Sequence, residues 1–189
     1  MVSFPPVFVI SLDEAADRRK RTGEHLDGLG LAHTFVAAID GRQTDPNVHP
    51  LYDGCRRRLF FGKDLTGGEM GCLLSHRLVL QKIVADGLDV ALVLEDDAVL
   101  DPVFPDIVRE LMARRESWKL VRFLCKDKKK IDTAPKQPVL DLGYGRQLVR
   151  LQNVYGGAFA YLVTREAAET LLRVTCRNWV PMDIVMGHS

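Results

Sequence analysis

Three consecutive acids, Glu95, Asp96 and Asp97, stand directly after Val90-Ala91-Leu92-Val93-Leu94, the most apolar strand-like run in the chain. Carboxylates at the edge of a low-dielectric core are costly unless positive charge meets them. No basic residue lies within five positions on either side. A divalent cation would resolve the conflict, and an all-oxygen ligand set suits magnesium or manganese. Glu95 and Asp97 are two apart, so an extended backbone aims both the same way, whereas a turn after the strand alters this. Taken alone, the three acids equally suit the cap of a following helix or a solvated strand end.

Other residues invite chemistry one at a time. Asp183 follows Pro181 and fits either a general base or the cap of a helix starting at Ile184. Arg122 lies in the middle of an apolar stretch, and a buried arginine needs an anionic partner, whether a ligand, the acidic triad or an internal pair. Arg18 and Arg19 are consecutive, so on a helix they diverge and at least one faces solvent. The runs Arg56-Arg57-Arg58 and Lys126-Asp127-Lys128-Lys129-Lys130 could attract anionic lipid, but charge runs are more often solvated loops.

The elements that must position these groups are legible in outline. Val7-Phe8-Val9-Ile10 is a continuous apolar run, as in a parallel strand buried on both faces. A helix-forming stretch follows, with Asp13 as expected N-cap and Gly30 as expected stop. Thr34 to Ala38 reads as a second strand, ending in the turn Ile39-Asp40-Gly41. Gln43 to Lys63 lacks a period and reads as a long loop with room for a short helix. Thr66-Gly67-Gly68-Glu69 is a capping box opening a helix to about Asp86-Gly87, with Met70, Leu73, Leu74, Leu78, Ile83 and Val84 at helical spacing.

After the central strand, Asp101 is the expected cap of a further helix, with Pro102 at its first position. Strands are expected at Leu120–Cys125, Leu148–Leu151 and Ala158–Val163, a basic loop at Lys126–Pro138, and a last helix from Arg165 to about Val174. This order predicts a mixed α/β sheet flanked by helices.

Composition narrows the function classes. The chain has 189 residues, 47% of them apolar and 27% charged, which excludes wholesale disorder. A net charge of +1 argues against a dedicated nucleic-acid binder. No apolar run approaches the roughly 20 residues of a membrane span. The first residues carry no basic, apolar leader, so a secretory signal is not expected. The cysteines at 55, 72, 125 and 176 form no CxxC pair, which points to reduced thiols in a cytosolic protein.

Several segments together resemble glycosyltransferase family 25, the lipooligosaccharide-biosynthesis galactosyltransferase group that includes collagen galactosyltransferase domains. They are Val9-Ile10-Ser11-Leu12 with Asp17-Arg18-Arg19, Phe35 to Gly41, Leu65 to His76, Leu92 to Asp97, Gly157 to Leu172, and Pro181-Met182-Asp183. Each is weak alone, but their order and spacing are specific.

The resemblance implies a GT-A type fold and inverting transfer of a hexose, usually galactose, from a UDP-sugar to a saccharide or lipid-linked saccharide acceptor. It implies a manganese or magnesium ion on Glu95 and Asp97, with Asp183 as base. Ser11, Leu12, Arg18, Arg19, Ser75, His76, Asp96 and Arg122 would contact the nucleotide-sugar. For His76 the plain alternative is a partly buried ring bonded to a backbone carbonyl. Glu69 has a complete structural role in the capping box. The expected setting is cytoplasmic, with peripheral contact at the inner face of the inner membrane left open.

The chain is expected to be one family domain over residues 1–189. It is also expected to lack the C-terminal part usual in the family, with His188 as a weak substitute for a late metal ligand. Two rival readings remain: a truncated paralogue that binds nucleotide without transfer, and a magnesium-dependent phosphohydrolase. The second fits badly, because a glutamate opens the acidic triad.

Overall fold

The computed structural model describes residues 3–123, 135–152 and 156–187. Five strands form the main sheet in the order β2-β1-β3-β7-β4: β1 (Val7–Ser11), β2 (His33–Ala37), β3 (Val90–Glu95), β4 (Leu120–Arg122) and β7 (Ala160–Thr164). β1 pairs in parallel with both β2 and β3, whereas β7 runs antiparallel to β3 and β4. β4 is therefore parallel to β3, and the carboxyl ends of four strands share one edge.

Two cores account for the continuous apolar runs. Phe8 and Ile10 of β1, Ala91 and Val93 of β3, and Tyr161 and Val163 of β7 point to one face. There they meet helices α3 (Gly67–Ala85), α5 (Arg165–Val174) and α6 (Met182–Gly187). Val7, Val9, Val90, Leu92, Leu94, Ala160 and Leu162 point to the other face. They meet α1 (Ala16–Gly28) and α4 (Phe104–Ala113) through Leu26, Phe104, Ile107, Val108 and Leu111. Strands covered on both faces have no polar side, which is why these do not alternate.

Thr66 and Glu69 complete the expected capping box at the start of α3. The helix then packs backbone against backbone on the turn after β2. A Cβ at Gly71 would stand 2.6 Å from the Gly41 Cα, and one at Gly67 would stand 2.1 Å from the Gly41 carbonyl oxygen. Ser75 lies in the same seam. Its Oγ donates to the Gly71 carbonyl (2.7 Å) and accepts from the Ile39 amide (2.8 Å). Val79 and Leu80 fill the core further along, whereas Leu78, expected inside, is exposed.

Several local expectations are corrected. Asp13 does not cap α1; its carboxylate accepts from Arg19 (2.5 Å), and Ala15 occupies the cap position without a side-chain bond. α4 begins at Phe104, with Val103 as cap and Pro105 in its first turn. Asp101 and Pro102 lie in the preceding turn, where Asp101 Oδ1 accepts from the Val103 amide (3.0 Å).

The 43–63 loop contains α2 (Gly54–Phe61), capped by Asp53 and stopped by Gly62 in the left-handed region. The segment read as a loop to Pro138 enters an additional strand, β5 (Lys136–Asp141). It pairs with β6 (Gln147–Leu151) as a separate hairpin rather than joining the main sheet. The basic run 126–130 and His188 fall outside the described residues. Among the described residues, no helix is long and apolar enough to cross a membrane.

Candidate active site

β1 leads out to β2 on one side, and the chain then crosses back to β3 on the other. In open α/β sheets, ligands bind outside the carboxyl ends of the strands at such a reversal. Ser11 ends β1 and Glu95 ends β3, at this point of the edge.

The three acids part company there. β3 stops at Glu95, and the Ala98 amide donates to the Glu95 carbonyl (3.1 Å), closing a turn. The alternation that would align Glu95 with Asp97 does not run through that turn. Asp97 is exposed. Asp96 is buried, and its Oδ2 accepts from Ser11 Oγ at 2.7 Å. Arg18 stands 3.2 Å from its Oδ1, and the Asp96 carbonyl accepts from Thr22 Oγ1 (2.7 Å). Ser11 and Asp96, expected at a ligand, are thus a buried tie between β1, α1 and the acidic turn.

Because Arg18 is 45% exposed and can rehydrate, loss of the acid should cost less than breaking a fully buried pair. Asp96→Ala is expected to lower unfolding stability by about 2 kcal/mol, read from urea denaturation.

Glu95 turns the other way, toward α3. Its Oε1 lies 3.1 Å from His76 Nε2 and 4.0 Å from Cys72 Sγ. His76 is 1% exposed, and its Nδ1 is 3.0 Å from the Tyr161 hydroxyl. Complete burial holds the Tyr161 phenol well above its ordinary pKa, so it keeps its proton. The arrangement is satisfied when Tyr161 donates to Nδ1 and Nε2–H donates to Glu95. His76 is therefore not bonded to a backbone carbonyl; it holds the carboxylate.

Cys72 is accessible as a residue, yet its thiol sits poorly hydrated among acids. Lost hydration first, then Glu95, Asp183 and Glu69, pushes its pKa up to about 12. At pH 8, iodoacetamide should therefore modify exposed Cys55 and Cys176 while labelling Cys72 about a hundredfold more slowly or worse, as peptide mass spectrometry would read. An unfolded cysteine ionises near 8.5. Between about 8.5 and 12 the unfolded chain releases a proton that the folded one keeps, so this thiol makes stability fall as pH rises.

The third component comes from late in the chain. Gly157 has φ +107, a value side-chain-bearing residues rarely adopt, and a Cβ there would meet the Phe159 ring at 2.4 Å. Its amide donates to Asp183 Oδ2 (2.8 Å), and its carbonyl accepts from Arg122 Nη2 (2.5 Å). Asp183 Oδ1 accepts from the Ile184 amide (2.9 Å), so both oxygens are fixed by backbone. Burial lowers the Arg122 pKa, and the Asp183 charge partly restores it. Asp183 and Arg122 thus meet at Gly157, and the charges of Glu95 and Asp183 both act on the Cys72 thiol.

Residues 4–186 match the family described as Glycosyltransferase family 25 (LPS biosynthesis protein). The chain belongs to glycosyltransferase family 25. A glycosyltransferase 25 family member from Aedes aegypti is 29% identical over 94% of the chain and 29% of its own length. Procollagen galactosyltransferase 1 of Danio rerio is 26% identical over 96% of the chain and 31% of its own length. A Bos taurus protein named probable inactive glycosyltransferase 25 family member 3 is 35% identical over 63% of the chain and 21% of its own length. The chain spans less than a third of the length of each of these relatives.

The α/β architecture with a mixed five-stranded sheet is consistent with a nucleotide-sugar transferase fold. Within this family-25 chain, the expected site residues fall into two groups. Glu95 and His76 meet beside Cys72, Arg122 and Asp183 meet at Gly157, and Cys72 feels the charges of both carboxylates. Leu12, Arg18 and Arg19 lie beside the Asp96 tie; Leu12 and Arg18, with Arg21 and Arg42, line a depression of about 440 Å³ at the start of α1. Arg19 stacks on Phe35 (4.8 Å) instead, and Ser75 is buried in the α3 seam.

Sequence reasoning missed Cys72 and Tyr161. The Cys72–His76 spacing of four on a helix was a usable signal. Tyr161 reads as one more residue of a buried strand.

Proposed function

We propose that this chain transfers a hexose, galactose first among the candidates, from a UDP-sugar to a hydroxyl of a saccharide or lipid-linked saccharide acceptor. The transfer inverts the anomeric carbon and serves lipooligosaccharide or cell-envelope polysaccharide synthesis at the cytoplasmic face of a membrane. The observation that carries this reading is Asp183, held with Arg122 at Gly157, standing close enough to Cys72 for its charge and that of Glu95 to act on the same thiol. Family membership and the galactosyltransferase name of the Danio rerio relative support it.

A carboxylate at the end of β3 suits a hard divalent cation. Glu95 is held by a histidine rather than paired to lysine or arginine, so its negative charge stays at the edge. Glu95 would hold manganese or magnesium, which when bound offsets the charge of the departing diphosphate; Asp97, exposed in the turn that follows, is not aligned with it by the strand and would join the ion only from that turn. The depression at Leu12 and Arg18 takes the nucleotide. Asp183, oriented by two backbone amides, keeps a lone pair on each oxygen. It accepts the acceptor hydroxyl's proton as that oxygen attacks the anomeric carbon opposite the leaving group. Arg122 places positive charge beside that carboxylate.

Calorimetry with UDP-galactose and manganese is expected to show binding that disappears on chelation. No binding in manganese would overturn the reading. A second reading, donor binding without transfer, is favoured by the name of the Bos taurus relative. It predicts the same calorimetry and no sugar transferred to any acceptor.

A further inference from the structure

Cys72 and His76 lie one turn apart on α3, so their side chains share a face. Glu95 reaches the same point from the end of β3. Cys72 Sγ, a His76 nitrogen and a Glu95 carboxylate oxygen all lie within 4.8 Å of one another. Among the described residues, no other three histidine, cysteine or acidic side chains are gathered in this way. Sulfur, nitrogen and oxygen together form a zinc-type ligand set, not a manganese-type one.

We propose that Cys72, His76 and Glu95 form a site for a thiophilic divalent cation of the zinc class, and that filling it draws Glu95 away from the donor edge and blocks donor binding. The second half rests on the role given to Glu95 above; the first half does not.

Zinc holds nitrogen and oxygen at about 2.0–2.1 Å and sulfur at about 2.3 Å, so tetrahedral ligand atoms stand roughly 3.3–3.7 Å apart. The His76–Glu95 and Cys72–Glu95 separations of 3.1 and 4.0 Å bracket that spacing. Small side-chain rotations close the difference, and the Glu95 side chain, 28% exposed, has room to make them. The accessible cysteine gives the ion a way in.

His76 is backed for this role. When a metal takes Nε2, the ring proton moves to Nδ1, and the Tyr161 hydroxyl turns from donor to acceptor across the same 3.0 Å contact. No buried hydrogen bond is lost from that side. The thiol proton goes to solvent, and the cation's charge stabilises the thiolate among acids that otherwise oppose it.

The test uses the full chain carrying Cys55→Ser, Cys125→Ser and Cys176→Ser, with cobalt(II) as optical probe. A thiolate-to-cobalt charge-transfer band should appear at one equivalent, vanish on zinc addition and be absent after Cys72→Ser. Zinc affinity, read against a chromophoric chelator, should fall at least about tenfold in Cys72→Ser and in Glu95→Gln. A cobalt spectrum without the thiolate band, or zinc affinity unchanged by Cys72→Ser, overturns the site.

UDP-galactose binding in manganese should then be lost with zinc, return with a zinc chelator, and resist zinc in Cys72→Ser. If UDP-galactose binds equally with zinc present, the blocking half is overturned. If it never binds while the cobalt band is present, the donor reading and the blocking half fall together and the metal site stands.

Discussion

Asp183→Asn should lower sugar transfer by about 10²–10⁴-fold while donor binding stays near the wild-type level, because a general base contributes on that scale to the chemical step. The substitution preserves size and removes the charge that takes the proton. It also converts one acceptor atom into an amide nitrogen, so either the Gly157 amide loses its partner or the Ile184 amide keeps only the Pro181 carbonyl. That loss should cost about 1 kcal/mol, too little to unfold the chain. Calorimetry of UDP-galactose binding, thermal unfolding and a radiolabelled transfer assay separate the effects. Transfer within about threefold of wild type would remove Asp183 from the chemistry and leave it a structural acid in the first turn of α6, which starts at Met182 rather than at the expected Ile184.

The largest stability effect is expected at a residue with no chemistry. Gly71→Ala should destabilise the fold by about 2 kcal/mol or more. An alanine normally favours a helix interior by about 1 kcal/mol over glycine. At this position the new Cβ meets the Gly41 amide nitrogen and Cα at 2.6 Å and the Ile39 carbonyl at 2.8 Å. These are backbone atoms and cannot rotate aside, so the helix or the turn must move, and overpacking of this kind costs about 1–3 kcal/mol or more. Gly68→Ala is the matched control. Its Cβ would meet only Thr66 Oγ1, at 4.0 Å, so the helix gain is unopposed and stability should rise by up to about 1 kcal/mol. Urea unfolding of the two variants should give shifts of opposite sign. A neutral Gly71→Ala would mean that the seam between α3 and the β2 turn is slack.

The main strands and the α3 cap were legible because they follow local rules. Val7–Ile10 and Val90–Leu94 are continuous apolar runs, and Thr66 with Glu69 is a two-residue signature that no tertiary contact needs to complete. The meaning of Gly67, Gly71 and Ser75 was not legible. The resemblance placed Ser75 at the nucleotide-sugar, yet the glycines admit the backbone of Gly41 and the serine bonds the backbone on both sides. Partners thirty residues away leave no trace in a local window.

The acids show the same limit. Their approach to a strand end was readable, but the turn at 95–98 decides which way each one faces. It sends Asp96 to Ser11 and Arg18, and Glu95 to His76. Asp183 and Arg122 were singled out separately, and only the fold brings both to Gly157. β5 was missed because Pro138 lies within it and its pairing is irregular, with a register shift between Pro138 and Leu140.

β1 flanks β3 on one side; on the other stands β7, about seventy positions later in the chain, and among the described residues β4 reaches the sheet only through β7. Closing so long a loop delays that pairing relative to the local β1-α1-β2 unit. The early half can collapse with Glu95 already on its strand while Gly157 and Asp183 are still unplaced. Competence for catalysis should therefore be the last property acquired during refolding, lagging the recovery of helical signal.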